Sequence, residues 1–203
     1  MTVVAERPPE AATPSPEPPR HGRSTAWWGM LLTIATEAMI FGGLLSSYFF
    51  IRATSKEWPP HGIEPPELGR IIFFTVILLG SSFPVIYAEH AIKKGNIRGL
   101  RIGLAMAFVM GLIFIANQAL EYRDLTFGWR DNAYGSLFYL ITGLHGAHVV
   151  AGLLMSLVVQ IKAWTGRFSA KRHRTVQVFG MYWHFVDIIW IFVFSSLYLS
   201  AHL

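Results

Sequence analysis

The sequence predicts an all-α integral membrane protein, a bundle of five transmembrane helices with the N-terminus in the cytoplasm and the C-terminus outside. Three observations predict it. Hydrophobic residues make up 53% of the chain and charged residues only 14%, with a mean hydropathy of +0.42, whereas in a water-soluble domain about a quarter of the residues are charged. Five apolar stretches each reach the roughly 20 residues that a helix rising about 1.5 Å per residue needs to cross the hydrocarbon core. Lys and Arg collect on alternate connections between those stretches, the pattern of loops retained in the cytoplasm.

The first 26 residues are rich in Pro, Ala and Glu and contain no apolar run. They cannot bury enough surface to offset the entropy of ordering, and they read as a flexible cytoplasmic tail. They do not read as a signal peptide, because the apolar stretch and small-residue cleavage site are missing. Residues 27–203 then form one five-helix domain. The first span, Trp27–Ile51, ends before EWPPHGIEPPELG, whose prolines remove backbone donors and fix φ. The second, Ile71–Ile92, stops at KKGN, where charge is followed by a Gly suited to a helix C-terminus. Pro84 within it is placed to kink the helix. EYRDLTFGWRDNAYG separates the third span, Leu100–Leu120, from the fourth, Tyr134–Ile161, and TGRFSAKRHRT leads into the fifth, Val176–Ala201. Twelve of the 17 basic residues lie in the tail and in the connections after the second and fourth spans, and five on the opposite side; this sets the orientation. Trp27, Trp28, Trp58, Trp129 and Trp164 near the span ends fit interfacial anchoring.

Several function classes fall away. Without Cys there are no thiolate metal sites, disulfides or cysteine nucleophiles. The net charge of +5 is accounted for by topology, so it implies no nucleic-acid partner. A small transporter remains an alternative, weakened by the lack of a repeat or of inverted halves.

Ionisable groups inside a membrane are costly, so each is a candidate site. Glu37 lies about 15 Å into the first span at helical rise. His145 and His148 share one face of the fourth span, and His184 and Asp187 share one face of the fifth, both pairs at i, i+3. These five residues read as a buried polar cluster linking three helices, suited to relaying or buffering protons. The alternative is that they satisfy one another as interhelical hydrogen bonds. Bis-histidine heme ligation requires facing His side chains on different helices, and His148 with His184 meets that count; no ligand set for a metal ion accompanies them. Glu89 and His90, at the inner end of the second span, read as solvated. Asn117, Gln118 and Glu121 read as capping the third span or contacting a neighbour. Gly42, Gly43, Ser46, Ser47, Gly143, Gly146 and Gly152 read as sites of close helix approach. The basic loop with Lys171, Arg172, His173 and Arg174 is suited to anionic lipid headgroups.

TEAMIFGGLLSSYFF, QALEYRDL, AYGSLFYLITGLHGAHVVAGL and YWHFVDIIWIFVFSSLY, in that order, resemble subunit III of the heme–copper respiratory oxidases, with cytochrome c oxidase favoured. The resemblance covers about Trp27 to Leu203, and HGxH followed by YWHFVDxxW on the next helix is its most specific part. It implies a non-catalytic subunit of a proton-pumping terminal oxidase in the bacterial plasma membrane, packed beside oxidase subunits I and II. Heme and copper would sit in those partners and no cofactor in this chain, apart from bound phospholipid. Glu37 would be the family's buried carboxyl, and His145, His148, His184 and Asp187 match the motif's polar positions. The subunit would stabilise the catalytic subunit during turnover, support proton uptake, and guide lipid and oxygen access. Many members have seven spans; five resemble certain bacterial forms. Quinol oxidases and proteins accompanying nitric oxide reductases share the motifs, and membership of a respiratory supercomplex stays open.

Overall fold

The computed structural model describes residues 23–60, 63, 67–170 and 172–202. Most of the expected tail, residues 1–22, lies outside them. The described chain forms α1 (Thr25–Thr54), α2 (Leu68–Gly80), α3 (Ser82–Lys93), α4 (Ile97–Asp124), α5 (Ala133–Trp164) and α6 (Arg174–Val193). A π-helical turn, Phe194–Leu199, and a 3-10 turn, Ser200–His202, prolong α6. Five of these units are long and apolar enough to cross a membrane, with α2 and α3 together making the second (Leu68–Lys93).

Each expected span is present and runs one to four residues further at its ends. The second is interrupted at a single residue, Ser81, three before the proline expected to kink it. Pro84 has no N–H, and in a continuous helix its ring would meet the carbonyl of Gly80. α2 ends at Gly80 and α3 begins at Ser82, but Ser81 between them keeps helical angles, φ −67° and ψ −18°, and its N–H bonds to the Ile77 carbonyl, so the two run as one span with the hydrogen-bond ladder interrupted where Pro84 lacks a donor. Side chains close several helix starts: Ser24 accepts from the Trp27 amide, Asn96 from Gly99 at 2.9 Å and Asn132 from Gly135 at 2.8 Å. Gly95 takes φ +75° after α3, the left-handed conformation that lets the chain reverse directly into α4.

α6 is the centre of the molecule. Of the most apolar 18 residues in its span 56% are buried, against 6% in α1. α3 and α4 form a tight hairpin, α5 closes on α4 and α6, and α1 leans on α5 and α6 from outside. The indole of Trp183 fills the interior between α4 and α5: a Cβ at Gly111 would lie 2.8 Å from its Cη2, and one at Gly152 2.9 Å from its Cζ3. Gly152 is therefore a close approach, as the sequence suggests. Gly42 and Gly43 have nothing within 4 Å of a built Cβ, and the close approach at Gly111 has no counterpart in the sequence reading. Trp183 Nε1 donates to Ser81 Oγ at 2.8 Å and Trp190 Nε1 to Thr75 Oγ1 at 3.0 Å, so both indoles satisfy their donors against the interrupted span.

Candidate functional site

The five polar residues expected to cluster occupy three separate places. On the α1–α5 contact, His148 Nε2 lies 3.2 Å from Glu37 Oε2. Its other nitrogen, Nδ1, is 2.8 Å from the carbonyl of Leu144. A carbonyl only accepts, so Nδ1 carries a hydrogen, and Nε2 and the carboxyl share one further proton between them. The pair is either imidazolium with carboxylate or neutral imidazole with carboxylic acid. Phe41 packs edge-on against the His148 ring at 5.2 Å, and Tyr182 donates to the His148 carbonyl at 3.2 Å. With both nitrogens engaged and the ring directed at α1, His148 does not face His184, so the pairing required of two axial heme ligands does not form.

The second place joins α3 to α6. Ser82 Oγ donates to Asp187 Oδ2 at 2.5 Å and lies 2.9 Å from His184 Nδ1. A hydroxyl has one hydrogen, and here it goes to the carboxylate, so His184 donates from Nδ1 to Ser82 and keeps a lone pair on Nε2. Asp187 is buried. Ser82 bears no signal in the sequence: a serine two residues before a proline reads as a turn residue, and only folding sets it opposite the i, i+3 pair of α6.

The third place holds His145 alone. Its ring stacks on Trp190 with centroids 4.6 Å apart and meets the edge of Phe114 at 6.0 Å. Neither ring nitrogen has a hydrogen-bond partner among the described residues. The i, i+3 spacing that puts His145 and His148 on one face thus separates their surroundings: one looks into the aromatic interior, the other at α1.

At the other end of α4 a network appears that the sequence only hinted at. Arg70 of α2 donates from Nε to Asn117 Oδ1 at 2.8 Å and from Nη1 to Asp124 Oδ2 at 2.5 Å. Tyr198, in the π-helical turn, donates to Glu121 at 3.3 Å. Asn117 and Glu121 therefore contact neighbouring elements.

Of the headgroup candidates, Lys171 lies outside the described residues. Arg172 and Arg174 are exposed and His173 is partly buried. Both arginines join Lys162 and Arg167 around a cavity of about 540 Å³ that contains no acidic side chain. Glu89 differs from expectation: it is half-buried rather than solvated, lines a second cavity of about 520 Å³, and its carboxylate rests on the backbone of Gly180. His90 is exposed, as expected. Among the described residues no three His, Cys, Asp or Glu side chains gather closely enough to hold a metal ion.

Comparison with known proteins matches the sequence to a family. Residues 21–202 match the cytochrome c oxidase subunit III family. The cytochrome c oxidase subunit 3 of Thermostichus vulcanus is 40% identical over 172 residues, which cover 84% of this chain and 85% of that protein. The probable cytochrome c oxidase subunit 3 of Mycobacterium bovis is 38% identical over 176 residues, 84% of this chain and 85% of its own. The cytochrome c oxidase subunit 3 of Myxine glutinosa is 34% identical over 177 residues, again 84% of this chain but 68% of that longer relative. The chain belongs to the cytochrome c oxidase subunit III family: it is a multi-pass membrane protein, subunit III of a terminal oxidase, that works in complex with other oxidase subunits.

Proposed function

We propose that this subunit is non-catalytic, carries no cofactor of its own beyond bound phospholipid, and docks through α1 against the heme- and copper-bearing subunits I and II in a bacterial plasma membrane. The carrying observation is the exposure of α1, in which only Phe41 and Tyr48 of 30 residues are buried. Its exposed surface carries one helical stripe of Gly29, Thr33, Thr36, Ile40, Gly43 and Ser47, flanked by the large exposed side chains of Leu32, Met39 and Phe50. The hydroxyls of Thr33, Thr36 and Ser47 bond to their own helix carbonyls, so five of the six stripe residues are small and present no unpaired donor. Such surfaces let membrane helices approach closely. Behind that face, Glu37 and His148 form the polar pair nearest the neighbour, so a proton held between them sits close to the interface. This position supports the reading that the subunit stabilises the catalytic subunit in turnover and aids its proton uptake.

The basic cavity of Lys162, Arg167, Arg172 and Arg174 would take an anionic headgroup, with Lys171 and His173 adjoining these arginines in sequence. Residues 1–26 form the cytoplasmic tail and 27–203 the membrane domain. Lipid and oxygen access to the neighbour, and assembly into a supercomplex, extend the same reading. The test is a bulky residue on the α1 stripe. Gly43→Phe should abolish co-purification of subunit I, whereas Met106→Phe, on the exposed side of α4, should leave it unchanged. Normal recovery of the complex with Gly43→Phe would sink the α1 interface.

A further inference from the structure

Two cavities on the side where α1 and α6 begin share a wall. The basic one, of about 540 Å³, is lined by Lys162, Arg167, Phe168, Arg172, Arg174 and Thr175. The other, of about 520 Å³, has Arg23, Ser24, Trp27, Glu89 and again Arg174 in its wall, so the two meet at that arginine in one trough. Its basic half is unbalanced. Lys162, Arg167, Arg172 and Arg174 make no ion pair with a carboxylate among the described residues. Like charges held around one space repel one another, more strongly beside a low-dielectric wall than in open water. α6 also starts here, at Arg174, without a side-chain cap, which adds the positive end of a helix dipole. The trough therefore favours an occupant that carries negative charge.

The chain itself supplies one. The sequence PPEAATPSPEPP, residues 8–19, contains six prolines, the two glutamates Glu10 and Glu17, and no basic residue. The point at which this segment joins the bundle is fixed in the trough. Arg23 lies over the Trp27 ring at 3.8 Å, Ser24 accepts from the Trp27 amide at the start of α1, and all three line the second cavity. Glu17 lies six positions before Arg23, a reach of about 19 Å at the rise of an extended proline-rich chain. That reach crosses the single cavity between Arg23 and Arg174. Tethering favours the contact as well. A segment of the same chain meets its site at an effective concentration on the order of millimolar, and prolines have little backbone freedom to lose. Ion pairs too weak to join separate molecules then suffice.

We propose that residues 8–19 of this chain fold back onto the trough, with Glu17 and then Glu10 neutralising Lys162, Arg167, Arg172 and Arg174. This cover is internal and does not rest on the headgroup reading of the same cavity. An anionic headgroup takes the same four cations, so it enters by displacing the glutamates, and the segment sets how readily the cavity is filled.

The test uses the intact oxidase complex. The chain has no Cys, so Ser15→Cys combined with Thr175→Cys, in the cavity wall, gives the only thiol pair within it. Under a mild oxidant their disulfide, mapped by mass spectrometry, forms when the two Cα atoms come within about 7 Å. At low salt it should form about fivefold faster than when Glu10→Gln and Glu17→Gln are added, the scale of one surface ion pair. High salt should slow it to that same lower rate. Both glutamates precede α1, so replacing them leaves every described helix contact unchanged. Lys162 supplies a readout without cysteines: it should react faster with an amine-specific reagent in the Glu10→Gln, Glu17→Gln chain than in the unaltered one. Added phosphatidylglycerol should slow disulfide formation; a rate that this lipid leaves unchanged, with the glutamate dependence intact, would support the tail contact and remove the headgroup from the cavity. Disulfide formation at equal rates with and without the glutamates, or capture of a neighbouring subunit by the thiol introduced at Ser15, would overturn the proposal.

Discussion

At the scale of single residues, the two histidines of HGAH make opposite predictions. Glu37 and His148 share a proton across the α1–α5 contact, and a hydrogen bond inside a membrane contributes about 0.6–2 kcal/mol. Glu37→Gln keeps that contact, because the amide nitrogen donates to His148 Nε2 once Nδ1 alone is protonated, but it removes the exchangeable proton. The expected outcome is assembly at wild-type yield, a stability change below about 1 kcal/mol, and severalfold faster loss of activity during turnover. Normal activity and normal resistance to inactivation would remove the proposed role. His145 points the other way. It is buried with neither nitrogen bonded to the protein, and an unsatisfied buried polar group costs about 1–3 kcal/mol. His145→Phe, which retains the stack on Trp190, should therefore raise the thermal stability of the complex; a large fall would mean that the imidazole serves more than packing. Spacing in the sequence placed both residues on one helix face. It carried no information about which neighbour each would meet, since that depends on how α1, α4 and α6 are arranged around α5.

At the scale of elements, the consequential event is the interruption at Ser81. Pro84 signals an interruption in the second span, and the sequence reading anticipated a kink there. The backbone stays helical through Ser81, φ −67° and ψ −18°, so the interruption falls inside one span, and the side chains of Ser81 and Ser82 beside it serve α6. Ser81 accepts from Trp183, and Ser82 bridges His184 and Asp187. Ser82→Ala deletes the hydrogen that Asp187 accepts and the oxygen that His184 donates to, so it should destabilise the α3–α6 contact by about 1–3 kcal/mol in thermal denaturation. Asp187→Asn keeps an acceptor for Ser82 and should cost less. Equal stability of Ser82→Ala and wild type would show that this contact holds nothing together. The number, order and approximate ends of the helices were legible because hydrophobic length and helix-breaking residues are local properties. The partners of Asp187, Glu89 and Arg70 were not, because each lies on another element many residues away.

For the whole molecule, charge asymmetry carries both topology and packing. The basic residues assigned to the cytoplasmic side are not all free loop charges. Arg101 donates from Nε and Nη2 to the carbonyl of Ala163, at 3.2 and 3.0 Å, and lies over the Trp164 ring at 4.4 Å. It thereby places a cation on the C-terminal turn of α5, where the helix dipole favours one. The α3–α4 connection and the end of α5 are tied together on the same side as the start of α1, the side that the positive-inside rule predicts to be cytoplasmic. A chain without Cys allows a direct test, since any introduced cysteine is unique. A membrane-impermeant maleimide applied to intact cells should label Arg130→Cys, in the α4–α5 connection, and leave Thr165→Cys, in the α5–α6 connection, unlabelled; inverted vesicles should reverse the pattern. The opposite result would invert the molecule. The four-cation cavity would then face outward, the retained positive charge would be on the wrong side of the membrane for the rule, and the headgroup proposed for that cavity would have to come from the outer leaflet.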